Sequence, residues 1–172
     1  AALPTATPDL FTCPPLSTAA ELEDTPPANP PIVIEEIVRY MASGGAFSTL
    51  EEILSQTWDL TGETGFVRND IDFTGEGMPE VMVSYTAPNG TGTLIILGCL
   101  EGTYELFYDV GAESLAPPQI ITLGDSNNDT RNDLLFATQI CPQDDEGFFL
   151  EEDCTFQTRL LSWQPAQSRF AD

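Results

Sequence analysis

A short segment of this chain occurs twice. Asp72 to Val83, DFTGEGMPEVMV, returns 53 residues later as Asp125 to Phe136, DSNNDTRNDLLF. Each copy sets side-chain oxygens at alternate positions, adds one more at the ninth, and passes directly into an apolar run. A second anchor follows, TLIILGC against TRLLSWQ. Self-similarity at this spacing marks one supersecondary unit used twice, so the second half of the chain should fold as two like units. Between the anchors the later copy is longer by about a dozen residues. The surplus is CPQDDEGFFLEEDC, a loop bracketed by Cys141 and Cys154.

The units are β in character. From about Gly65 the runs EVMVSY, TLIILGC, TYELFYDV, QIITLG, DLLFATQI and TFQTRLLSW are separated by Pro-Asn-Gly and Gly-rich turns. Before them lies a helical pattern over 32–60. Ile32, Ile34, Ile37, Val38 and Met41 recur at helical spacing, and Gly44-Gly45 supplies a stop. A second helix is expected from Ser48, with Glu51 completing a capping box and Leu50, Ile53 and Leu54 buried. Residues 1–31 are rich in Pro, Thr and Ala and predict an extended segment. The expected organisation is a tail (1–31), a helical hairpin (32–60) and two β repeats (66–118 and 119–172).

Charge narrows the partners. The sequence holds 28 acidic and 5 basic residues, a net charge of −23, with neither lysine nor histidine. Such a chain repels nucleic acid and anionic membrane surfaces. No apolar run is long enough to span a bilayer. Cys13, Cys99, Cys141 and Cys154 form no CxxC pair and have no histidine to share a zinc ion with. They predict disulfides and an oxidising, extracellular compartment. Cys141–Cys154 would close the insertion between neighbouring strands. Cys13–Cys99 follows by elimination, within one chain or between two. The opening AALPTATPDL reads as a mature N-terminus left after removal of a signal peptide.

The oxygen-rich turns carry the chemistry. Asp125, Asn127, Asp129 and Asp133 occupy positions 1, 3, 5 and 9, with the Arg131 carbonyl at position 7. Asp72, Thr74, Glu76 and Glu80 repeat the pattern, with the Met78 carbonyl at position 7. Calcium takes six to eight oxygens at roughly 2.3–2.6 Å, and alternate residues of a tight loop point at one centre. The competing reading is a polar turn whose side chains bind their own backbone. An EF-hand would place a bidentate glutamate at position 12, where this chain has Val83 and Phe136.

This pattern, running into a strand and repeated in register, resembles the calcium loops of FG-GAP (VCBS-type) repeats, the blades of integrin-α-like propellers. The resemblance covers about residues 66–172. It implies four-stranded blades with calcium held at the turn between two strands. Asn128 and Thr130 stand where the family prefers glycine, and Thr74 and Glu76 where it prefers Asp or Asn.

Function classes can then be weighed. Without histidine no Ser-His-Asp triad or Cys-His dyad forms, and without lysine no P-loop. A non-enzymatic role is expected. One reading is a calcium-dependent adhesion module for a surface protein or glycan. The favoured one is a structural subunit that assembles with copies of itself into a surface fibre or similar filament, since two blades cannot close a propeller and sheet edges stay open. The last blade looks cut short at PAQSRFAD, and DLFTC near the N-terminus is the candidate strand to fill it, in the same molecule or the next. The acidic stretch DDEGFFLEED could hold a further cation or be a solvated loop tip, with Phe148-Phe149 exposed or tucked into the sheet.

Overall fold

The computed structural model describes residues 13–111 and 115–171. Two helices come first, α1 (Pro30–Ala42) and α2 (Phe47–Glu52), the latter running into a π-helical turn at Ile53–Thr57. Eight strands follow: β1 (Phe66–Ile71), β2 (Glu80–Thr86), β3 (Gly92–Leu100), β4 (Thr103–Gly111), β5 (Gln119–Gly124), β6 (Asp133–Ile140), β7 (Thr155–Gln164) and β8 (Arg169–Ala171). They form two four-stranded antiparallel sheets in the order β1-β2-β3-β4 and β5-β6-β7-β8. The protein is mainly β, and neither sheet closes into a barrel.

The layers follow from which residues share a face. In an antiparallel ladder, opposed residues point to the same side. Val83 opposes Ile95 and Val81 opposes Leu97, and these pack with Val33, Ile37, Leu50 and Leu54 of the helices. Met82 opposes Ile96, and these pack instead with Leu134, Phe136, Leu161 and Trp163 of the second sheet. The first sheet is therefore the central layer, between the helices and the second sheet. Burial on both sides explains why β2 and β3 read as nearly unbroken apolar runs.

The helical turn-off behaves as its glycines dictate. Ser43 is the C-cap, Gly44 takes a φ of 87°, and the N–H groups of Gly44 and Gly45 donate to the carbonyls of Met41 and Tyr40. These are the two hydrogen bonds of a Schellman motif. Other details depart from expectation. Helix α1 starts at Pro30, inside the stretch expected to be extended, because proline fits the first turn. Its buried face is Val33, Ile37, Tyr40 and Met41, while Ile32 lies towards solvent. The capping box does not form: α2 begins one residue before Ser48, Ala46 is its N-cap, and no side chain caps it.

The described part of the N-terminal segment is strapped down. Cys13 bonds to Cys99 of β3. Ser17 N donates to Gly44 O (2.8 Å), an Arg39 nitrogen donates to Glu21 O (3.1 Å), and Trp58 Nε1 donates to Glu23 O (2.8 Å). The segment thus follows the helical layer and adds no strand to a sheet edge. Of the proposed filling strand DLFTC, Cys13 alone falls within the described residues. The second sheet already has a fourth strand, β8, but it is three residues long.

Candidate metal centre

The two turns that join β1 to β2 and β5 to β6 are left-handed at the same two positions. Gly75 and Gly77 take φ values of 77° and 85°; the equivalent Asn128 and Thr130 take 61° and 71°. The first acid of each turn holds the loop closed. Asp72 accepts from Gly75 N (2.7 Å) and Gly77 N (2.8 Å), and Asp125 accepts from Asp129 N and Thr130 N (both 3.0 Å). The ninth-position acid reaches back to position 2. Glu80 accepts from Phe73 N (2.6 Å), and Asp133 accepts from Ser126 N (2.8 Å). The repeat seen in the sequence is thus a repeat of conformation.

The turns also touch. Arg131 Nε donates to Thr74 O (2.9 Å), and Asn132 Nδ2 donates to Asp72 O (2.9 Å). Arg131 lies along Gly75, where an added Cβ would come within 3.3 Å of its side chain. One Arg131 guanidinium nitrogen stands 3.8 Å from Asp129 Oδ2. Of the sequence-assigned positions, Arg131 therefore has a side-chain role that its assignment as a carbonyl donor missed. The signal was available: it is one of five cations in a chain with 28 acids, and it lies inside an acidic turn.

The electrostatics of the two turns differ. Glu80 is buried, and burial pushes its carboxyl up to about 7, with Asp72 acting in the same direction; the bonds from Phe73 and Thr74 oppose this. Asp133 is also buried, which would raise it, but hydrogen bonds from Ser126, Ser162 and the Asn127 backbone hold it below the usual carboxylate range. Glu76 and Asp125 are exposed, and Asp129 is half-buried. Asn127 Oδ1 accepts from Asp129 N at 2.9 Å, and Asp129 Oδ1 accepts from Arg131 N at 2.9 Å. Among the described residues no group of three or more acidic, Cys or His side chains converges closely enough to hold a metal ion. Asp72, Glu80, Asp125, Asn127, Asp129 and Asp133 each accept from a backbone N–H of their own turn, as the competing reading given above has it.

The other candidate groups sort simply. The disulfides are Cys13–Cys99 and Cys141–Cys154. Inside the second one, Asp144 Oδ1 accepts from Glu146 N and Phe148 N (both 2.9 Å) and shapes the acidic tip as a turn. Phe148 is exposed and Phe149 half-buried. Among the described residues no helix is long and apolar enough to cross a membrane.

Comparison with known proteins adds no relative: no family model matches the chain, and neither a curated protein nor a solved structure matches it.

Proposed function

We propose that this protein is an extracellular calcium-binding structural module that assembles with copies of itself. The observation carrying this reading is the likeness of the two turns: both are left-handed at positions 4 and 6, and in both the acid at position 1 accepts from the position 6 N–H and the acid at position 9 from the position 2 N–H. The donors are all oxygen, from carboxylates, an amide, a hydroxyl and backbone carbonyls, which fits calcium and not a softer metal. The histidines that would favour zinc are absent, and the four cysteines are spent in disulfides. Those two disulfides are consistent with an oxidising compartment.

In this reading Asp125, Asn127, Asp129, Asp133 and the Arg131 carbonyl hold one ion, with Asp129 turning inward from the surface of the loop. Asp72, Thr74, Glu76, Glu80 and the Met78 carbonyl form the lesser site. Calcium would offset the mutual repulsion of the turn carboxylates and relieve the self-repulsion of a chain at −23. Isothermal titration of calcium into EDTA-stripped protein tests this. Saturable binding that Asp129→Ala removes is expected. No heat in millimolar calcium, together with an unchanged melting midpoint, leaves the turns as purely backbone-bonded structures and ends the proposal.

A further inference from the structure

The two sheets present corresponding faces in the same direction. Val81 and Val83 face the helices, and their repeat equivalents Leu134 and Phe136 face the first sheet. The opposite face of the first sheet, with Met82 and Ile96, is covered by the second sheet. Its equivalent on the second sheet holds Leu135 opposite Leu160 and Ala137 opposite Thr158. Among the described residues nothing packs on that face: Leu160 is 43% exposed, Ile121 52% and Phe156 68%. The repeat thus keeps a face on which, among the described residues, no layer packs: apolar at Ile121, Leu135, Phe156 and Leu160, and bordered by Thr158, Ser162, Gln164 and Arg169.

Charge singles out the same face. In a chain with 28 acids, the four strands of the second sheet carry one, Asp133, and it is buried at the end of β6 beside its turn. The helical layer at the other end of the molecule carries Glu35, Glu36, Glu51 and Glu52. We propose that the outer face of the second sheet, centred on Leu135 and Leu160, docks on the same face of a second copy of this chain. This names the contact for the self-assembly proposed above and rests on that reading.

Charge argues for a two-fold, face-to-face contact. Two copies at −23 each repel everywhere except where acids are missing, and this is such a face. Docking it on the helical layer of another copy would instead bury Glu side chains against leucine without partners. The two-fold arrangement sets Leu135, Leu160 and Ile121 against their own counterparts, as an isologous contact requires. Strands of six, eight, ten and three residues, spaced about 4.8 Å apart, cover roughly 430 Å² per copy. That is below 1,000 Å² in total, roughly the size of weak, transient contacts, so the dimer should be reversible and depend on concentration. Salt and calcium should both strengthen it by screening.

Sedimentation equilibrium from roughly 10 μM to about 1 mM, the range in which weak contacts form, in calcium and in EDTA, tests the contact with three proteins: wild type, Leu160→Glu, and Leu16→Glu as a charge-matched change at another exposed leucine. Melting curves verify that each is folded. The expected result is a wild-type and Leu16→Glu dimer and a Leu160→Glu monomer at every concentration. A Leu160→Glu protein that still dimerises overturns this face while leaving self-assembly standing. A wild type that stays monomeric at the highest concentration overturns both, and calcium binding is then judged by its own titration. If removal of residues 1–12 turns a monomer into a dimer, the face is occupied by the chain's own tail, and a second copy is the wrong occupant.

Discussion

The turn at Asp72–Pro79 and the turn at Asp125–Asn132 are left-handed at equivalent positions but are held in different ways. The first is anchored by the core: Phe73 is fully buried and packs edge-to-face on Phe170, ring centres 5.5 Å apart. Its left-handed positions are glycines, and its ninth-position acid is buried with no cationic partner among the described residues. The second has Ser126 in place of Phe73, and the Ser126 hydroxyl donates to Asp133. Its left-handed positions are Asn128 and Thr130. The same fold of the chain is obtained once by hydrophobic anchoring and once by polar bonding, and the second way leaves more oxygen near the surface. In the proposed reading this makes the second turn the principal calcium site and the first its structural support.

The largest effect expected from this contrast is Phe73→Ala. Loss of a buried aromatic costs about 3–5 kcal/mol, and the cavity would open beside Trp163 and Phe170, under both sheets. Ser126→Ala, at the equivalent position, should cost about 1 kcal/mol, the worth of one hydrogen bond. Denaturant unfolding of the two variants measures the ratio. Equal losses would mean that the turns are anchored alike.

Next comes pH, read in EDTA. Glu80 has a folded value of about 7 against an ordinary 4.5. A group raised in the folded state stabilises at low pH and loses that contribution as pH rises. Between roughly pH 4.5 and 7 the unfolded chain releases the proton while the folded one keeps it, so stability falls across that window, by about 3 kcal/mol in all. Asp133, lowered in the folded state, contributes in the opposite sense and only below the ordinary carboxylate range. Glu80→Gln should flatten the slope and leave the calcium-free protein more stable than wild type at pH 8. A slope that survives Glu80→Gln would place its origin elsewhere.

Calcium itself should add about 2.7 kcal/mol per independent site at a hundred times its dissociation constant. The comparison of turns predicts where: Asp129→Ala should abolish most of the shift in melting midpoint, and Glu76→Ala little of it. The reverse order would make the first turn the principal site.

These contrasts show what could be read in advance. Six of the eight strands were legible, because apolar runs such as EVMVSY and DLLFATQI and the repeat at 53 residues are properties of the chain; β1 and the three-residue β8, which lies in the stretch read as a blade cut short, were not. The turns were legible as oxygen-rich, but which oxygens bind backbone depends on local geometry that spacing does not state. The burial of Glu80 was hidden because periodicity tells which residues share a face, not which face another layer covers. The open face at Leu160 was hidden for the same reason. The clamp of Arg131 and Asn132 on the other turn depends on how the two sheets stack, and nothing local specifies that. Ser48 and Glu51 misled as a capping box because their spacing is right, while packing of α2 set its start at Phe47.

The smallest expected effect tests the strain in the second turn. Thr130 is a β-branched residue at a φ of 71°, where its equivalent Gly77 sits at 85° without cost. A non-glycine residue in this left-handed region loses roughly 1–2 kcal/mol through the clash of Cβ with backbone oxygen. Replacing it by glycine relieves that clash, but it also enlarges the freedom of the unfolded chain, worth about 0.4–1 kcal/mol in the other direction. Thr130→Gly should therefore stabilise the protein by about 1 kcal/mol or slightly less. The bond from its N–H to Asp125 (3.0 Å) needs no side chain and is kept. Asn128→Gly should be nearly neutral, since asparagine tolerates this region. The converse change, Gly77→Ala, should destabilise by a similar amount. If Thr130→Gly stabilises in EDTA and leaves the calcium-induced shift untouched, the strain belongs to the turn's backbone alone. If it stabilises in EDTA and shrinks the shift, Thr130 helps set the geometry in which Asp125 and Asp129 meet the ion.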